Sequence, residues 1–403
     1  MHIVIDARFI NPRNRGLSYY TKNLIDNLVK IDQQNQYSIL LRQEDYATLN
    51  FPTPNFQKIL AEAHWYGWKE QILIPYLLHK LKPDLVHFPH FNVPILYRGS
   101  FVVTIHDLIL FSFPTKKATT LGPIFYQIKN WAYRFTIKRA LKKSRFIISV
   151  SRSTAQAIQK FFPTIEKEKI QIIYEGAGGQ KVNQLNIEQK NSQKNRQKWL
   201  SEKGIKNFPF IFYLGGAYPH KNLERLIMAF DLIQKKYPFK TKLGVSAKET
   251  SILSSKSLYL VIAGGNDYFF NRLKLMVKKK KIPKIIFPGF IKDSKTLEFL
   301  YQEALFCIFP SLCEGFGLPP LEAFERNKLV LCHEGTCFSE ILGNSALYFN
   351  GYSIENMAKT ILETLRKLPS LEKKYLPRAQ KILKKYNWEK TAQETLKLYL
   401  QKK

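Results

Sequence analysis

Apolar positions along this chain follow two rhythms. Short runs rich in β-branched and aromatic residues alternate with longer stretches whose apolar residues fall at helical spacing, the pattern of a parallel α/β sheet. Met1–Asp6 reads as a strand. A loop with Pro12 and Gly16 follows, then a helix from about Ser18 to Ile31 with Leu24, Ile25 and Leu28 on one face. Further strands are expected at Tyr37–Leu41, Leu85–Phe88, Val102–Ile105, Phe146–Val150 and Ile170–Tyr174, with a helix after Val150 capped by Ser151 or Ser153.

The alternation stops over residues 176–208. Gly176-Ala177-Gly178-Gly179 opens a polar stretch rich in Gln, Asn and Lys that reads as a linker. The rhythm then restarts. Strands are expected at Phe210–Leu214, Leu258–Ala263, Lys284–Phe287, Leu305–Phe309 and Leu329–Cys332, and helices at Asn222–Lys235, Ser294–Glu303 and Pro320–Arg326. A chain of 403 residues exceeds what one core usually holds. The reading is therefore two doubly wound α/β domains, 1–180 and 205–382, followed by a segment 383–403 with an amphipathic helix over Asn387–Leu400.

Composition changes this picture in three places. Apolar residues at 45% and aromatics at 14% suit packed cores and exclude a disordered chain. No apolar run can span a bilayer; the best, Phe101–Phe113, is short and interrupted by His106 and Asp107. Asp6 stands where a signal peptide would be apolar, and four cysteines form no C-x-x-C pair, so a reduced cytoplasmic compartment is expected. Charge is the third: 63 Lys+Arg against 31 Asp+Glu give +32, a field that favours anionic partners. Low-GC coding accounts for lysine abundance equally well, so clustering matters more. Between Lys129 and Phe146 seven bases and no acid alternate with Trp131, Tyr133, Phe135, Ile137 and Leu141, a basic amphipathic pattern suited to an anionic membrane surface. No nucleic-acid-binding module is recognisable.

Candidate chemistry lies where strands run into loops, since ligands of open α/β sheets bind at the carboxyl ends of strands. In Phe309-Pro310-Ser311-Leu312-Cys313-Glu314-Gly315-Phe316-Gly317-Leu318-Pro319-Pro320-Leu321-Glu322, a strand leads through glycines into a helix start suited to phosphate. Glu314 is a loop acid and Glu322 is placed in the first helical turn. Taken alone, Glu322 is better explained as a first-turn acid on the helix dipole and Glu314 as an ordinary loop acid; together with the glycines they favour a ligand site. In Leu214-Gly215-Gly216-Ala217-Tyr218-Pro219-His220-Lys221, the ammonium at a helix start suits a pyrophosphate. His106, after Val102–Ile105, serves either a sugar hydroxyl or proton, or simply a core contact, at even weight. His87 and His90 raise the question of a metal, but matching ligand spacing is missing. Asp6-Ala7-Arg8 and Gly16 mark a fourth junction.

With these residues, the sequence resembles glycosyltransferase family 4, the retaining GT-B enzymes that include many mannosyltransferases and lipopolysaccharide-building transferases. The resemblance runs from Ile3 to about Leu400. It rests on Glu314 and Glu322 within FPSLCEGFGLPPLEAF, and on PHKNLERLIMAF, IHDL, SVSRSTAQAI and IIFPGFIKDSKTLEFLYQEA. It implies two Rossmann-like domains facing a central cleft, with the terminal helix crossing back to the N-terminal domain. A nucleotide-sugar donor, GDP-mannose or a UDP-sugar, would sit on the C-terminal domain. Glu322 would hold its ribose, and Lys221, Gly216, His220 and backbone near Phe316, Gly317 and Leu318 its pyrophosphate. Glu314 and His106 would meet the transferred hexose, and Gly16 would lie beside the phosphates. The acceptor would be a saccharide or lipid-linked glycan, with no metal or other cofactor required. A degenerate GT-B binding module, or a basic nucleic-acid- or membrane-binding protein, is the alternative reading. Many relatives have arginine where this chain has His220, and the stretch 240–257 looks longer and more polar than usual.

Overall fold

The structure, a computed structural model, describes residues 1–10, 15–113, 123–178, 202, 208–236, 258–291 and 293–401. Pro12, most of the expected linker and the polar stretch 240–257 lie outside the described residues. The chain divides into two compact units. One comprises 1–112, 123–178 and 386–401; the other, 208–236, 258–291 and 293–385.

Unit one carries a seven-stranded sheet of β1 (His2–Asp6), β2 (Gln36–Leu41), β3 (Phe56–Leu60), β4 (Leu85–Phe88), β5 (Phe101–Ile105), β6 (Phe146–Ser149) and β7 (Ile170–Ile172). Its spatial order is β3-β2-β1-β4-β5-β6-β7, and every pairing is parallel. Parallel strands are covered on both faces, which is why β4 and β5 are mostly apolar and wholly buried. On one face α2 (Trp68–Leu81), α3 (Pro123–Lys143) and α4 (Arg152–Phe161) supply Ile74, Leu78, Ile137, Leu141 and Ile158 to the core. Ser151 is the cap of α4, its hydroxyl accepting the Thr154 N–H at 3.0 Å.

The other face is closed by α1 (Arg15–Ile31) and, from the far end of the chain, by α12 (Trp388–Leu400). Trp388, Ala392, Leu398 and Tyr399 are buried among Leu24, Leu28 and Ile39. The strap is fixed by backbone: Ala177 N–H donates to Tyr386 O at 3.0 Å, and Thr391 Oγ1 donates to Tyr174 O at 2.8 Å. Gly176 is required here, because a Cβ would lie 2.4 Å from the Trp388 nitrogen.

Unit two repeats the design with β8 (Phe210–Leu214), β9 (Tyr259–Ala263), β10 (Ile285–Gly289), β11 (Phe306–Phe309), β12 (Val330–His333) and β13 (Leu347–Phe349) in the order β10-β9-β8-β11-β12-β13. Its helices are α5 (Leu223–Lys236), α6 (Tyr268–Lys280), α7 (Ser294–Glu303), α8 (Leu318–Glu325), α9 (Cys337–Leu342), α10 (Ile354–Arg366) and α11 (Leu368–Leu383). In both sheets the chain reverses its direction of growth beside the first strand, between β1 and β4 and between β8 and β11. Ligands of such sheets bind at that switch point.

Three boundaries differ from the sequence reading in ways that matter. Helix α1 starts at Arg15, so Gly16 lies in its first turn rather than in a loop. Helix α8 starts at Leu318, so Glu322 lies beyond the first turn and is no end-of-helix acid. The run Trp68–Leu81, apolar on more than one side and carrying Pro75, folds as a full helix that no clean periodicity announced.

Candidate active site

Unit two concentrates its chemistry at the switch point. After β8 the chain makes a turn of 3-10 helix, Pro219–Lys221, and Asn222 adopts a left-handed conformation that starts α5. After β11 it forms the loop that ends at α8. The two loops are stitched together: Leu312 N–H donates to His220 O at 2.8 Å, and the buried Asn222 amide donates to Pro310 O at 3.2 Å and Gly351 O at 2.7 Å. This places Lys221 Nζ 2.6 Å from Glu314 Oε1, with side chains only 20% and 16% exposed. Burial alone would raise the Glu314 carboxyl, but Lys221, helped by Ser311 and His220, holds it below the usual carboxylate range. Glu314 is therefore ionised at neutral pH. His220 stacks on Tyr218, and burial beside Lys221 pushes its imidazole down to about 4, so it adds no charge to the cation beside it.

The other candidates of unit two lie on the same two loops and on the helix that follows. Gly216 offers its carbonyl to the Tyr213 hydroxyl at 2.7 Å. Phe316 is buried and its carbonyl accepts from Cys337 Sγ. Gly317 has φ 103°, and a Cβ there would strike the Phe338 ring at 2.7 Å, so the approach to α8 needs glycine. Pro319 and Pro320 carry no N–H, so amide donation at this helix end falls to Gly317 and Leu318. Glu322 accepts from the buried Tyr301 hydroxyl at 3.3 Å, while the Arg326 guanidinium lies over the Tyr301 ring and pairs with Glu298 at 2.7 Å. Tyr301 was not singled out from sequence; its role depends on a neighbour brought in by α8.

In unit one, His106 follows β5. Its Nδ1 lies 3.0 Å from Glu175 Oε1 and its Nε2 2.9 Å from Pro89 O. Glu175, just after β7, was not singled out from sequence, and only the tertiary structure reveals it. His87 is fully buried between Thr104 Oγ1 at 2.8 Å and Tyr399 Oη at 2.5 Å, which gives it a core role. Arg8, also fully buried, binds both oxygens of Asp6 and reaches Glu70 at 2.7 Å. That junction is a buried charge network that ties the loop after β1 to α2. Gly16 is exposed, with open space where a Cβ would project, so nothing local demands glycine there. Among the described residues no three His, Cys, Asp or Glu side chains gather as a metal site.

Comparison with known proteins agrees with this layout. Residues 194–385 match the family of glycosyl transferases group 1, and residues 15–177 match glycosyltransferase family 4. The chain is a glycosyltransferase, its first half matching family 4 and its second half group 1.

Among curated relatives, the transferase is 24% identical over 305 residues to the O-antigen chain mannosyltransferase RfbU of Salmonella typhimurium, covering 76% of this chain and 71% of that protein. It is 25% identical over 367 residues to the serotype-specific mannosyltransferase WbdA of Escherichia coli, where 85% of this chain spans only 40% of the relative. Of solved structures, a sucrose-phosphate synthase from Thermosynechococcus elongatus aligns at TM-score 0.70 and 16% identity over 99% of this chain and 98% of that one. WaaG, a glycosyltransferase involved in lipopolysaccharide biosynthesis, aligns at TM-score 0.66 and 13% identity over 100% of both chains. The likenesses show a GT-B fold and the family a glycosyltransferase.

Proposed function

We propose that this transferase moves a hexose from a nucleotide sugar to a glycan or lipid-linked saccharide with retention of anomeric configuration. The observation that carries the reading is the Lys221–Glu314 pair at the switch point of unit two, with the Tyr301-bound Glu322 carboxylate on the helix that follows. In this reading Lys221 binds the donor pyrophosphate, with Gly216 and the backbone of Phe316, Gly317 and Leu318 around it. Lys221 and the α8 end stabilise leaving-group charge, so no metal is called for. Glu322 accepts both ribose hydroxyls, and Glu314 meets the transferred sugar. His106 and Gly16 are the corresponding candidates on unit one. The mannosyltransferase relatives favour GDP-mannose as donor, with a UDP-sugar second.

A membrane-associated acceptor is supported by the outer surface of unit one. On α3, Ile137 and Leu141 face the core, whereas Ile128, Trp131 and Phe135 are exposed, with Trp131 68% accessible and stacked on Phe135. Sequence alternation had put all five ring and aliphatic residues on one side; the helix separates them. Exposed Lys129, Arg134, Lys138 and Lys142 surround the outward set. Trp68, Ile72 and Tyr76 form a second exposed stripe on α2. Aromatic rings edged by lysine suit the headgroup zone of an anionic bilayer. No helix among the described residues is long and apolar enough to cross one. Sedimentation with vesicles should show binding that needs acidic lipid and is lost in Trp131→Glu/Phe135→Glu; equal binding to neutral vesicles would refute it.

The donor reading is tested by melting temperature against GDP-, UDP-, ADP- and dTDP-sugars, repeated with Lys221→Ala and Glu322→Ala. A ligand that binds only the native state raises the midpoint by mass action. A shift with one nucleotide class, lost in both variants, is expected; no shift at millimolar concentrations overturns the reading. The stereochemistry of the product, read by NMR, tests retention.

A further inference from the structure

Both ring nitrogens of His106 face acceptors. Nδ1 meets a carboxylate oxygen of Glu175 and Nε2 meets the carbonyl oxygen of Pro89, both of them acceptors. A neutral imidazole carries one N–H and one lone pair, so it would leave a lone pair facing one of these acceptors. An imidazolium satisfies both. We propose that Glu175 is a positioning residue that holds His106 as a doubly protonated imidazolium, making it a fixed cation rather than a proton shuttle or a ring donor to a sugar hydroxyl.

The surroundings are consistent with this assignment. Glu175 is 5% exposed and His106 21%, so little water competes for the pair. Burial would lower the His106 value, but the Glu175 bond and charge, the Pro89 carbonyl and Asp107 together raise it. The Tyr20 ring from α1 packs edge-on against the imidazole at 4.7 Å, and burial keeps its hydroxyl protonated. His87 and His90, the other titratable groups facing it, are pushed down to about 3 and stay neutral, so neither repels the imidazolium at neutral pH. Thr154 Oγ1 steadies the main chain by donating to the His106 carbonyl at 3.3 Å. What remains open to a ligand is the C–H edge of a charged ring, and an anionic group reaching this edge of the sheet meets permanent positive charge.

The assignment extends the donor reading, yet its primary test needs no substrate. With 15N-histidine-labelled protein, the ring nitrogens of His106 are assigned by the signals missing in His106→Gln. At about pH 7.5, one unit above the ordinary histidine value, both nitrogens should resonate as imidazolium. In Glu175→Gln they should report a neutral ring, and in Glu175→Asp the imidazolium should return. The kcat/KM of Glu175→Gln should fall about tenfold at that pH and recover toward pH 6, whereas the wild-type profile stays flat across the interval. A neutral His106 in the wild type, or one whose state ignores Glu175→Gln, overturns the proposal. Loss of melting temperature in Glu175→Gln with His106 still charged would assign Glu175 a structural role only. Failure of every nucleotide to bind would undo the donor reading and leave the ring-nitrogen result standing.

Discussion

Lys221 and Glu314 occupy each other before any substrate arrives, and this has a measurable consequence. On the proposed donor reading, a diphosphate would have to share or displace the Glu314 carboxylate to reach the ammonium 2.6 Å away. Glu314→Gln should therefore lose roughly a hundredfold to a thousandfold in kcat, as when one preorganised electrostatic group is removed, while binding the nucleoside diphosphate at least as tightly. Calorimetric titration showing weaker binding would contradict the competition. The same pair sets an acid limit. The Glu314 carboxyl lies below its ordinary value when folded, so its contribution is complete above about pH 4.3 and is lost as pH falls through the folded value. Melting curves should accordingly converge for wild type and Glu314→Gln below that pH. Lys221, Glu314 and Glu322 were legible in sequence because strand ends and glycines frame them. Glu175 and Tyr301 were not, because their partners are 69 and 21 residues away and only the sheet order brings them together.

At the scale of elements, helix starts position the chemistry, and α8 shows how narrowly. Its entry depends on φ 103° at Gly317, with the Phe338 ring filling the space a side chain would need. Gly317→Ala should cost roughly 1–3 kcal/mol from backbone strain alone, and the clash adds to it. Removing the ring in Gly317→Ala/Phe338→Ala should recover less than the whole, since strain remains when the clash is gone; additive losses in chemical denaturation would refute this coupling. The sequence located α8 to within two residues, yet that small offset moved Glu322 out of the first turn and changed what its carboxylate does. Helix α2 and the short edge strands β3 and β13 went unannounced. An apolar run containing proline, a strand such as β3 with Gln57 and Lys58 side by side, or the three-residue β13 carries too little periodicity to be read alone.

At the scale of the whole molecule, the alternation of strands and helices was enough to foresee two doubly wound sheets, because parallel strands need crossovers and both faces covered. Which helix covers which face was not legible from periodicity; for α12 it was the family resemblance that implied a terminal helix returning to the N-terminal domain, and α12 does pack in the core of unit one. Tyr399, twelve residues from the strap at Asn387, pairs with His87 of β4 in the middle of unit one. Tyr399→Phe should cost about 1–3 kcal/mol by stranding a buried polar atom, and should lower the denaturation midpoint without altering nucleotide binding. A neutral effect would mean that a water replaces the hydroxyl. The placement of α12 also inverts the order in which the protein can be finished on the ribosome. Residues 386–401 are translated after unit two but belong to the core begun by residue 3. Between Gly178 and Tyr386 the part of this face that α1 leaves open waits for α12, for roughly ten to forty seconds at ordinary elongation rates of about 5–20 residues per second. The second half of the chain can close its core first, and the first half must be shielded until its closing helix emerges.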